Sequence, residues 1–205
     1  LSALVERTGG DPLPVILKFV NSNRYGKITK RTKGCVQHML SENLLKQLNE
    51  QMNFEFYSSR AYLAMGSYCA DESWEGFANF FLVQAEEERY HAMKIFNFIH
   101  SVGKRAEISD LQEPNNTFTS VLDCFEQAYR HEQEVSRRIY ALSDMALNER
   151  EQATLSLLQW FVDEQVEEED MFDSIIQKLK RIDHDSNAML MLDAEFKERQ
   201  FTPEA

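Results

Sequence analysis

Phe77-Ala-Asn-Phe-Phe-Leu-Val-Gln-Ala-Glu-Glu-Glu-Arg-Tyr-His-Ala-Met-Lys-Ile-Phe-Asn-Phe98 carries the pattern on which the fold of this chain turns. Steps of alternately four and three residues pick out Phe77, Phe81, Gln84, Glu88, His91, Ile95 and Phe98. That spacing is one face of an α-helix. No glycine or proline interrupts it. The face is apolar at both ends and ionisable in the middle, where Glu88 and His91 lie three residues apart and are therefore neighbours on the helix surface.

Working outward, Ser73 is the expected N-cap and Gly103 the expected stop, giving a helix over about 74–102. From residue 39 onward the chain has only two prolines, Pro114 and Pro203, and three glycines, Gly66, Gly76 and Gly103. So few breakers predict long helices. A first helix is expected over about 42–70 with Ser41 as N-cap, a third over about 119–147, a fourth over about 149–181 after a turn near Asn148, and a short fifth over about 186–199. At 1.5 Å per residue the four long helices span ~40–50 Å each. Tight turns make the first and second helices antiparallel, and likewise the third and fourth. The stretch 104–118, with Pro114-Asn-Asn116, is long enough to run the length of a bundle. The expectation is all-α: a four-helix bundle with one long crossover and a short fifth helix.

The other helices carry comparable faces. They read Leu48, Met52, Glu55, Ser59, Tyr62 on the first, Val121, Phe125, Ala128, Glu132, Val135, Ile139, Leu142 on the third, and Leu158, Phe161, Gln165, Glu168, Phe172, Ile175, Leu179 on the fourth. Each apolar stripe contains a mid-helix glutamate. A single glutamate in such a place ordinarily snorkels to solvent. Four at one level of a bundle are another matter. A buried unpaired carboxylate costs several kcal/mol, so four cost on the order of 10 kcal/mol, comparable with the stability of a whole domain. Protonation softens this, because like charges raise each other's pKa. No lysine or arginine lies on the stripes near these positions. A bound cation is the natural compensation, and oxygen donors with one imidazole suit iron, manganese or zinc.

The composition agrees. The 205 residues carry a formal charge of −12, which excludes the basic footprint of a general nucleic-acid binder. No apolar run approaches the ~18 residues of a membrane span. Cys35, Cys69 and Cys124 are odd in number and far apart, a poor disulfide framework; a reducing, cytoplasmic setting is expected. The charge is unevenly spread. Residues 1–38 hold seven basic and two acidic residues, leaving 15 of the 22 basic and 32 of the 34 acidic residues to positions 39–205. Two units are expected: a basic extension over 1–38 and a helical domain over 39–205.

From Met39 to about residue 199 the chain resembles the bacterial non-haem ferritins. The resemblance rests on Leu48-Asn-Glu-Gln-Met-Asn-Phe-Glu55, Glu86-Glu-Glu-Arg-Tyr-His91, His131-Glu132 and Gln159-Trp-Phe-Val-Asp-Glu-Gln-Val-Glu-Glu-Glu169. It implies a ferritin-like bundle with a ferroxidase centre. One iron would take Glu55, Glu88 and His91, and a second would take Glu88, Glu132 and Glu168. Gln165 would lie close to both and Tyr62 beside the pair. A third site would use Glu87, Glu164, Glu167 and Glu168. It also implies a shell of twenty-four subunits that oxidises iron(II) with dioxygen and stores ferric mineral. Bacterioferritin-like and rubrerythrin-like proteins place Glu-x-x-His on two helices, whereas the fourth helix here offers Gln165-x-x-Glu168. The haem methionine of bacterioferritins follows the bridging glutamate, a position held here by Arg89, so no haem is expected. Neither is nucleic acid or a membrane.

Residues 1–38 do not share this resemblance. They are compatible with an upstream read-through, a transit-like leader or an engineered fusion. The competing function is a structural cage or display scaffold for this extension, with its metal sites retained but unused. His100, His131 and His184 are expected at the surface, Trp160 in packing, and Cys69 and Cys124 as buried small hydrophobes.

Overall fold

The computed structural model describes residues 40–182 and 185–203. The proposed extension and His184 lie outside these residues. Helix α1 covers Glu42–Asp71, α2 Glu75–Ser101, α3 Val121–Glu149, α4 Gln152–Ile182 and α5 Ser186–Phe196. The Ser41 hydroxyl accepts a hydrogen bond from the Leu44 N–H and starts α1, and Ser120 does the same for α3 through Asp123 N–H. Each satisfies one of the donors left open at a helix start. Gly103, with φ +80, closes α2 as expected. The turn after α3 lies slightly later than Asn148: Arg150 is left-handed, with φ 57.

The start of α2 departs from expectation. Ser73 has φ 64 and does not cap; Trp74 occupies the N-cap position without a side-chain hydrogen bond. The cap comes from α5. Asp193 is buried, and one of its carboxylate oxygens accepts from both Gly76 N–H (2.8 Å) and Phe77 N–H (3.0 Å). The approach is so close that a Cβ on Gly76 would lie 1.6 Å from the Asp193 carbonyl oxygen. The fifth helix packs on the bundle: Leu192 is buried against the core and Met189 and Phe196 pack on it. Leu190 and Met191 remain exposed.

Helix α1 packs on α2 and α3, and α3 on α4. Residues 102–120 form the crossover. Asn49 Oδ1 accepts from Glu107 N–H, Asn53 Oδ1 accepts from Ser109 N–H, and Arg60 donates to the Gln112 carbonyl, so the strand-like connection climbs along α1. The interior falls into two apolar clusters. One contains Phe77, Phe81, Phe125 and Phe172; the other contains Leu48, Met52, Ile139 and Phe161. On every long helix the boundary between the two falls at a glutamate: Glu55, Glu88, Glu132 or Glu168. A polar layer thus divides the core at mid-height. No helix among the described residues is long and apolar enough to cross a membrane.

Candidate metal centre

Each of the four glutamates is at most 4% exposed, as are His91, Gln165 and Tyr62. The expected stripes hold throughout α3 and α4. On α1 the buried hydroxyl is that of Ser58, while Ser59 turns to the Ala85 carbonyl.

The buried carboxylates are held by neutral donors. Gln51 Nε2 donates to Glu55 Oε1 (2.9 Å), and Gln84 Nε2 donates to Glu168 Oε2 (2.9 Å). Gln165 Nε2 donates to Glu132 Oε2 (3.0 Å), and the Tyr62 hydroxyl donates to Glu132 Oε1. Glu55, Glu132 and Glu168 lie close enough for their charges to act on Glu88. Two oxygens, Oε2 of Glu55 and Oε2 of Glu88, are buried with no hydrogen-bond partner. Buried polar atoms are ordinarily satisfied. His91 Nδ1 lies 3.7 Å from the orphan oxygen of Glu88.

Burial dominates the proton chemistry. It raises Glu55 to about 7 and Glu132 to about 7. Glu88 and Glu168 are pushed well above the usual carboxylate range, first by burial and then by the Glu132 charge. Burial, reinforced by Lys94, holds His91 down to about 3, so its imidazole is neutral and has a lone pair to give. Orphan carboxylate oxygens and a neutral imidazole are the donors a divalent first-row cation requires.

A second gathering lies beside this layer. Glu87, His91 and Glu164 each offer a ligand atom, and these atoms lie within 4.8 Å of one another. His91 therefore belongs to both groups. Glu167 is exposed and is not part of this three-residue gathering. In the acidic run Glu168 is buried, Glu169 is half-buried and accepts from the Ser136 hydroxyl, and Asp170 is exposed.

Three residues near the centre escaped the sequence-based expectations. His131 is half-buried rather than exposed: its Nε2 pairs with the Ser58 hydroxyl at 2.7 Å, its ring stacks on Phe54, and burial lowers it to about 4. Lys94 Nζ sits 3.4 Å from the Trp160 ring centroid, and Trp160 meets His91 edge-on. Arg199, beyond α5, donates to Gln84 Oε1 and lies 3.5 Å from Glu87 Oε2. Burial lowers its guanidinium from the ordinary value, opposed by the charges of Glu87 and Glu168. His100 is exposed, Trp160 packs on Phe161, and Cys69 and Cys124 are fully buried, as expected.

A bundle of this topology, with a glutamate of each long helix buried at mid-height, defines the ferritin-like class. The model of the ferritin-like domain matches residues 45–182, and the chain belongs to the ferritin family. It is 49% identical over 166 residues to the bacterial non-heme ferritin of Staphylococcus aureus, a match covering 81% of this chain and 100% of that protein. The bacterial non-heme ferritin of Staphylococcus saprophyticus is 47% identical over 163 residues, covering 80% of this chain and 98% of the relative. Among solved structures, an engineered closed form of the Archaeoglobus fulgidus ferritin superposes with a TM-score of 0.79 at 43% identity, over 80% of this chain and 100% of that one. The open-pore ferritin of the same archaeon gives a TM-score of 0.78 at 42% identity, over 79% of this chain and 100% of that one.

Proposed function

We propose that this chain stores iron and oxidises iron(II) with dioxygen at a paired site in the polar layer. The observation that carries the proposal is the pair of buried, unpartnered oxygens on Glu55 and Glu88, the second of them 3.7 Å from the neutral His91. Membership of the ferritin family supports storage as the overall role.

One iron(II) is assigned to Glu55, Glu88 and His91, and the other to Glu88, Glu132 and Glu168, with Glu88 touching both. Binding displaces protons that the raised carboxyls hold in the metal-free chain. Gln51 fixes Glu55, Gln84 fixes Glu168, and Gln165 with Tyr62 fixes Glu132, so the ligands are positioned before iron arrives. Four carboxylates stabilise iron(III) over iron(II), because the higher charge gains more from anionic oxygen. Electrons pass from iron to dioxygen, and the reduced oxygen together with water supplies the oxygen of the ferric oxyhydroxide as protons leave. The third site is assigned to Glu87, Glu164, Glu167 and Glu168. Assembly into a closed shell of twenty-four subunits, in the cytoplasm, completes the proposal; exposed Leu190 and Met191 on α5 are available to such contacts. Nothing among the described residues favours a purely structural scaffold.

Anaerobic titration with iron(II), followed by air, tests this. The expected result is saturable binding of an iron pair per chain and a rise in ferric absorbance on aeration that exceeds iron in buffer alone. Equal rates with and without protein would refute it.

A further inference from the structure

The four carboxylates have no cation on their own stripes, yet one from the end of the chain reaches Glu87 and Gln84 beside them. After α5 the segment 197–203 turns back along α2. Asn79 Nδ2 on α2 donates to the carbonyl of Phe196 at the end of α5 (2.8 Å) and to those of Lys197 (3.4 Å) and Arg199 (3.0 Å) in the segment. Lys197 pairs with Glu75 at 2.9 Å, and Phe201 packs on Tyr90, with ring centroids 5.6 Å apart. The segment is thereby strapped to α2 from its first turn to the level of His91.

Arg199 is the inward-facing member. Its guanidinium lies over the Phe80 ring at 4.4 Å, 3.6 Å from Met171 Sδ, against Gln84 Oε1 and 3.5 Å from Glu87 Oε2. Gln84 in turn donates through Nε2 to Glu168. One arginine therefore neutralises Glu87 directly and orients, through Gln84, the donor that holds Glu168.

Resting on the metal-centre proposal above, we infer that Arg199 is a built-in counter-ion and positioning residue, and that a divalent cation drawn to Glu87, His91 and Glu164 competes with it and loosens the strap. The guanidinium and the cation need the same Glu87 carboxylate, and their like charges repel. A cation that also draws Glu168 removes the acceptor of Gln84, so both anchors of Arg199 weaken together. Coupling of this kind is reciprocal: the strap weakens the cation by the factor by which the cation weakens the strap.

The test uses the full-length assembled protein, zinc(II) as a redox-inert probe, a zinc isotherm, and amide hydrogen exchange at positions 197 and 199, whose N–H groups donate to the Ala194 and Phe196 carbonyls. In the parent, zinc is expected to speed exchange of the strap on the order of tenfold, within the usual range of coupling between sites. In Arg199→Gln, exchange is fast with or without zinc, and zinc at the weakest site binds more tightly by the same factor. Arg199→Lys keeps the charge without the planar fork, so it restores the zinc competition but only part of the protection. Fast exchange in Arg199→Gln with an unchanged zinc isotherm would reduce Arg199 to a structural anchor and overturn the inference. Bound zinc with an equally protected strap in the parent would also overturn it, while leaving the metal centre standing. A parent that binds no zinc would overturn both.

Discussion

Replacing Glu55 with glutamine is expected to make the metal-free protein more stable and the metal-binding protein worse. The amide is nearly isosteric with the protonated carboxyl. Its oxygen still accepts from Gln51, and its NH2 takes the place of the unpartnered Oε2 without adding a charge. The magnitude follows from the proton. Burial carries Glu55 from 4.5 to about 7, and at about 1.4 kcal/mol per pKa unit this stands for about 3 kcal/mol. Because the folded state holds the proton more tightly than the unfolded chain, the folded state has more protons bound above pH 4.5. Stability from this group is complete below 4.5 and is lost as pH rises through about 7. The proton belongs to the Glu55–Glu88 pair, so the loss extends above 7. Glu55→Gln should therefore match the parent near pH 4.5 and exceed it by about 3 kcal/mol at pH 8, roughly 6–12 °C in Tm for a chain of this size. Thermal unfolding of metal-free parent and variant at the two pH values reads this directly. With zinc present the order at pH 8 should reverse, since the variant has lost one anionic ligand. A metal-free variant no more stable than the parent at pH 8 would refute the reasoning, because the carboxyl would then not be strained by burial.

Further expectations concern other parts of the site and the fold. Glu88→Ala should damage initial iron oxidation more than Glu55→Ala, because Glu88 is assigned to both ions; equal rates in two folded, assembled variants would remove the bridging role. The combined change Glu87→Ala, Glu164→Ala and Glu167→Ala should spare binding of the first iron pair but alter the iron-to-oxygen ratio and the recovery between additions. Unaltered stoichiometry and recovery would dissolve the third site. Gly76→Ala should detach α5 from α2, because the new Cβ meets the Asp193 backbone at 1.6 Å; helix displacement with loss of the two Asp193 hydrogen bonds should cost about 2 kcal/mol or more, and a denaturation midpoint equal to the parent's would contradict it. Deleting residues 1–38 should leave folding and iron oxidation intact, and a deletion variant that fails to assemble would assign the extension to the fold.

The long helices and their polar layer were legible because they repeat. Helical periodicity makes a misplaced glutamate visible once on each of four stripes, and the structure buries all four. What the periodicity could not show came from elements distant in sequence. Ser73 has the composition of an N-cap, but the α2 N–H groups are satisfied by Asp193, 117 residues on. His131 lies off the third stripe by one position, and its burial depends on Ser58 and Phe54 of α1. Arg199 follows the last helix, and only the return of the chain along α2 brings it to Glu87. Local pattern reports which face of a helix is buried; it does not report which distant side chain completes it.

Carboxylates from four helices are assigned to a pair of irons inside the bundle. Crystals of the metal-free protein soaked anaerobically with iron(II), with anomalous diffraction recorded at the iron edge, decide the assignment. Two adjacent peaks are expected in the polar layer, with Glu55 and His91 on one, Glu132 and Glu168 on the other, and Glu88 touching both. Iron confined to exposed acidic side chains, with Glu55 and Glu88 still facing an empty interior, would contradict it.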